Sequence, residues 1–149
     1  MATHRMVRKV FVLNGPNLNR LGRREPELYG RATLDDIAAM LSERADALGL
    51  TLDIRQSNHE GHLIDWLHEA DDAGATAVIL NAGGYSHTSV ALHDAMRAIA
   101  VPVVAVHLTD PAGREPFRRT DLVADAARLV IKGEGAAGYV TALDAAARL

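Results

Sequence analysis

Short strand-like runs alternate with stretches whose apolar residues recur every three or four positions, and this alternation constrains the fold more than any other feature. The runs are Lys9 to Asn14, Leu50 to Gln56, Thr76 to Asn81, Val101 to His107 and, after a connector, the end of Ala124 to Lys132. Between them, Leu34 to about Leu48 carries Leu34, Ile37, Ala38, Leu41, Ala45 and Leu48 on one helical face. About His59 to Ala73 turns Leu63, Ile64, Leu67 and Ala70 inward, and Ser89 to Ile99 and Ala136 to Leu149 read as further helices. Continuous apolar strands between helices imply a parallel sheet buried on both faces, with right-handed crossovers. Five such units predict an α/β chain of flavodoxin-like, doubly wound architecture: a five-stranded parallel sheet in three α/β/α layers.

One domain, residues 9 to 149, accounts for the pattern, and that length suffices for its own core. Residues 1 to 8 are expected to be a flexible extension; they are basic but lack the apolar centre of a signal peptide. Thr33 and Asp36 have capping-box spacing, with Gly49 placed to end the same helix. Ser57 and Glu60 repeat that spacing and predict a second box.

In doubly wound sheets ligands sit beyond the carboxyl ends of the strands, at the switch point flanked by strands one and three. Polar residues gather there. Asn14 opens a connection of about twenty residues, NGPNLNRLGRREPELYG, where two to six are usual. Gln56, Ser57, Asn58 and His59 follow the second strand, Asn81 and the NAGGYSH turn the third, and His107, Thr109 and Asp110 the fourth. Solvation would explain a basic loop, but not four polar clusters at one edge. The long loop pairs arginines with Tyr29, and a nearby positive charge favours tyrosinate. A net charge of −3 gives no footprint for nucleic acid or an anionic membrane, and the absence of cysteine removes thiol, disulfide and cysteine–zinc chemistry. No apolar run reaches the ~18 residues of a membrane span. A cytoplasmic protein is the expectation.

Several motifs are set aside. Gly133-Glu134-Gly135-Ala136-Ala137-Gly138 is a literal GxGxxG, but no strand and acidic residue follow it, so it reads as a glycine turn opening the last helix. His59-Glu60-Gly61-His62 is one residue short of HExxH and reads as a helix start. A phosphoacceptor domain of this fold would need acidic residues where Asn14 and Asn81 stand; Lys132 alone fits it. A flavin-phosphate loop does not suit the proline and arginines after strand one. No serine elbow or carboxylate pair stands out as a nucleophile. His87 and His107, on different loops of one edge and near Tyr29 and Arg24, suggest acid–base chemistry.

NGPNLNRLGRREPELYG, QSNHEG, NAGGYSHTSVALHDA, VPVVAVHLTD, FRR and GEGAAGY together resemble type II 3-dehydroquinate dehydratase, over about residues 9 to 145. The resemblance implies anti elimination of water from 3-dehydroquinate through an enolate, giving 3-dehydroshikimate, a step of the shikimate route to aromatic amino acids and of quinate breakdown. By position it implies Tyr29 as general base, Arg24 as the lid arginine that helps ionise it, Asn17 as the residue that stabilises the enolate with a water, and His107 as general acid. Asn81 and the backbone N–H groups of Leu108 and Thr109 would take the substrate carboxylate. His87 and Arg118 would hold ring hydroxyls, and Asp94 would be supplied by a neighbouring subunit. The family is a dodecamer of trimers and needs no metal or organic cofactor.

The chain departs from the family's pattern beside the acid. Glutamate usually stands two residues before that histidine, on the same strand face; here it is Ala105. Asp110 replaces an asparagine, Pro111-Ala112-Gly113 replaces bulkier residues, and Asp121 stands where serine is common. Loss of the glutamate is expected to lower the histidine pKa and loosen its orientation, giving a working dehydratase with an altered activity or pH profile. A lyase for a related cyclohexane acid, and a silent binding module on the same scaffold, are the other readings at this point. Retention of both Tyr29 and His107 argues against silence.

Overall fold

The computed structural model describes residues 8–23, 25, 27 and 30–149. Residues 1–7, with most of the expected extension, lie outside the described residues, as do Arg24 and Tyr29. Strands β1 (Arg8–Asn14), β2 (Leu50–Gln56), β3 (Ala77–Asn81), β4 (Val103–His107) and β5 (Leu129–Lys132) form one parallel sheet in the order β2-β1-β3-β4-β5. This is the doubly wound order expected from the sequence.

Alternation along each strand builds two cores. Val10 and Val12 of β1, with Ile79, Val104 and Val106, face helices α1 (Leu34–Leu48) and α5 (Ala137–Ala146) through Ile37, Leu41 and Leu143. Phe11 and Leu13, with Val78, Leu80 and Ala105, face α2 (Glu60–Asp72), α3 (Val90–Ala98) and α4 (Leu122–Ala126) through Leu63, Leu67, Leu92 and Val123. The register sets Asn14 opposite Gln56 on one side and opposite Asn81 on the other. Three amide side chains therefore begin in one row at the carboxyl edge, before any loop contributes.

Helix α1 starts as its sequence predicts. The Asp36 amide donates to Thr33 Oγ1 at 3.1 Å, and the Thr33 amide donates to Asp36 Oδ2 at 2.9 Å. Gly49 ends it with φ 70°, a left-handed conformation that only glycine adopts without a Cβ penalty. The second capping box does not form. Ser57 Oγ instead accepts from the His59 amide and pairs with His62 Nδ1, while Glu60 accepts from the Ser89 hydroxyl. Ser57 thus stays with the first turn of α2, while Glu60 ties that turn to Ser89, the residue that caps α3. The stretch expected as a connector begins with a helix, α4, because Asp121 caps it through the Ala124 amide at 2.8 Å. Strand β5 departs from burial on both faces: Leu129 and Val130 are exposed, since β5 is a sheet edge with β4 as its neighbour.

Candidate active site

The site is built outward from a buried hydrogen-bonded triad. The Tyr139 hydroxyl, on α5, donates to Asn14 Oδ1 at 2.6 Å and accepts from Asn81 Nδ2 at 3.0 Å. Asn14 Nδ2 donates to the Arg55 carbonyl, and Asn81 Oδ1 accepts from the Gly83 amide. Each amide is thus satisfied on both ends, which fixes its orientation. Burial pushes the Tyr139 hydroxyl far above the usual tyrosine range, against the opposing effect of the Asn81 hydrogen bond. It is a fixed neutral donor. Tyr139→Phe should cost about 1–3 kcal/mol of stability, because amide groups of Asn14 and Asn81 lose their partner in a dry interior. Urea unfolding measures this; a loss under about 0.5 kcal/mol, the scale of a neutral surface change, would contradict it.

The loop after β1 leaves this triad under tight constraint. The Gly15 amide donates to the Asn81 carbonyl at 2.7 Å, and a Cβ on Gly15 would lie 2.6 Å from the Ala82 carbonyl oxygen. No other residue fits there. Asn17 follows with φ 69°, its amide donating to Asn58 Oδ1 at 3.0 Å. Gln56 Nε2 donates to the Gly15 carbonyl and to Asn58, and the Tyr85 hydroxyl donates to the Asn58 carbonyl. The polar residues after β2 therefore act as a brace for the β1 loop.

Two histidines meet at the edge. Their rings stack with centroids 6.4 Å apart and planes 14° apart. His87 ends the turn Gly83–His87, and its Nδ1–H donates to the Thr120 carbonyl at 2.7 Å. In its neutral form its Nε2 is then an acceptor. His107, at the end of β4, is buried, and its Nε2–H donates to Asp121 Oδ2 at 2.8 Å. Burial opposes ionisation of Asp121, but the His107 and Ala124 hydrogen bonds, with the field of His107 and His87, outweigh it and hold the carboxyl below its usual range. The expected loosening of His107 is therefore not what the structure shows: Ala105 is fully buried, and a carboxylate arrives from another element.

The glycine-rich stretch dismissed as a dinucleotide motif has a part in the site. The Gly135 amide donates to the Leu108 carbonyl at 2.9 Å and the Gly133 amide to the Thr109 carbonyl at 3.2 Å. Both glycines have positive φ, 60° and 75°. The turn so pins the backbone that carries the Leu108 and Thr109 N–H groups. Asp110 caps the following turn through the Ala112 amide and lies 3.8 Å from Lys132 Nζ.

These elements line a small, partly open cleft. Asn81, His87, His107, Leu108, Thr109 and Arg118 all line it, as does Arg114, which the sequence reading did not single out. Asn17 is exposed and does not line it, although its neighbour Leu18 does. Asp94 is on α3 with its side chain 73% exposed, and it is not part of this lining. Two guanidinium groups, backbone donors at a strand end, an oriented amide and two histidines suit a small hydroxylated anion that must gain or lose a proton.

The comparisons agree with this chemistry. The model of the family described as dehydroquinase class II matches residues 8–147. The 3-dehydroquinate dehydratase of Rhizobium johnstonii is 54% identical over 140 residues, covering 94% of this chain and 96% of the relative. That of Phenylobacterium zucineum is 53% identical over 144 residues, covering 97% and 99%. The crystal structure of type II dehydroquinase from Propionibacterium acnes superposes with a TM-score of 0.92 at 40% identity, covering 97% of this chain and 99% of that one.

Proposed function

This chain belongs to the dehydroquinase class II family and is a hydro-lyase that dehydrates 3-dehydroquinate, and we propose that it does so by anti elimination through an enolate, with Tyr29 as base and His107 as acid. The observation that carries this reading is the cleft, where a buried histidine, an oriented Asn81, the Leu108–Thr109 backbone and Arg118 surround one small volume.

Tyr29 removes the proton α to the ketone, and Arg24 favours its anion. Asn17, held in a left-handed conformation by Asn58, supports an ordered water against the enolate oxygen, the preorganised donor that such an anion needs. Asn81 and the N–H groups of Leu108 and Thr109 take the carboxylate. His87 and Arg118 hold ring hydroxyls. His107 then gives its proton to the departing hydroxyl, which leaves as water. No step calls for a metal or organic cofactor.

The working unit is a dodecamer of trimers in the cytoplasm, in which Asp94 of one subunit reaches the site of another. Exposure of Asp94 and of Leu129 and Val130 on the open edge of the sheet supports this assembly. Sedimentation equilibrium should return a mass near twelve chains; a single-chain mass at assay concentration would contradict it. The activity itself is tested by adding purified protein to 3-dehydroquinate and following the ultraviolet absorbance of a conjugated enone carboxylate. Absorbance should rise with turnover. No rise with folded protein, beside a rise on a related cyclohexane acid, would overturn the substrate.

A further inference from the structure

His107 Nε2 donates to Asp121 Oδ2, and the carboxylate comes not from β4 but from the residue that caps α4. Position 105, on the face of β4 that His107 shares, holds an alanine buried to 0% exposure. We infer that Asp121 is the positioning residue of the general acid: it holds the His107 ring and fixes which of its nitrogens serves the substrate. The inference rests on the reading of His107 as acid.

The geometry supports it in three ways. A carboxylate only accepts, so Nε2 carries a hydrogen and Nδ1 is the nitrogen left for the leaving group. Asp121 is itself held at both oxygens, by His107 on Oδ2 and by the Ala124 amide on Oδ1, so it is not free to swing away. Of the carboxylates near the cleft, Asp121 is the one bonded to the His107 ring. His87 stacks on His107, while Arg114 and Arg118 line the cleft, with Glu115 bonded to Arg118 and Asp110 beside Lys132. An imidazolium so held gives its Nδ1 proton to the hydroxyl oxygen as the C–O bond breaks. The ring is left neutral, still donating from Nε2 to Asp121.

A merely structural Asp121 would matter through its cap. D121N and D121S both keep a side chain that caps a helix, and both remove the charge. Their kcat should fall roughly tenfold, within the range by which residues of one hydrogen-bonded network couple. KM should stay nearly unchanged. In an H107Q background, D121N should cost nothing further. An equal loss from D121N in both backgrounds, or a loss that falls on KM rather than kcat, overturns the inference. H107Q with wild-type kcat would instead overturn the acid assignment and this inference with it.

Discussion

Tyr29→Phe should lower kcat by about 10²–10⁴-fold, the range for a removed general base, with little change in KM. The substitution takes away one oxygen and keeps the ring. A free tyrosine has a pKa of about 10, too high for a base at neutral pH. Lowering it by about two units needs about 2.7 kcal/mol of preference for the anion. One positive charge at about 4 Å, at an effective dielectric near 20, supplies about 4 kcal/mol before desolvation. The proposed mechanism assigns that role to Arg24. Steady-state rates on 3-dehydroquinate decide this, and a loss smaller than about tenfold would remove Tyr29 as the base.

His107→Gln should cost about 10²–10⁴-fold in kcat, because hydroxide is a poor leaving group without a positioned proton donor. Glutamine retains polar atoms at the site but cannot carry a proton to oxygen. The loss should be smallest for a substrate analogue whose leaving group departs without protonation. A variant equally slow on both would mean that His107 holds the fold or the substrate rather than the proton. Its place at the end of β4, buried against His87 and Asp121, makes it sensitive to neighbours on three separate elements.

The fold was legible because its signals are local and mutually consistent. Continuous apolar runs alternate with helical periodicity, and Thr33, Asp36 and Gly49 mark the ends of α1 within a residue. Ser57 and Glu60 misled because capping-box spacing says nothing of competing partners: the nearby His62 took the Ser57 side chain, and Ser89, from another element, took that of Glu60. The convergence of Asn81, His87, His107 and Thr109 followed from strand order, since each lies at or just beyond a strand's carboxyl end, whereas Leu108 and Arg118 came only with the family resemblance. Tyr139 and Asp121 were harder to place. Tyr139 reaches Asn14 across 125 positions of sequence, and no periodicity encodes such a contact. Asp121 read as a departure from a pattern, and its meaning came only with His107 at 2.8 Å. The glycines at 133 and 135 show the same limit, because what their amides bind is the backbone of a different loop.

The account's central claim is that base and acid act on opposite faces of the substrate ring. The most direct test uses 3-dehydroquinate stereospecifically deuterated at the carbon α to the ketone, one sample for each face. Mass spectrometry of the product then reports which label is lost. Loss of the deuterium that lies anti to the leaving hydroxyl, with retention of the other, is the result this account predicts. Loss of the syn deuterium would contradict it, since Tyr29 and His107 could not then divide the two proton transfers between opposite faces.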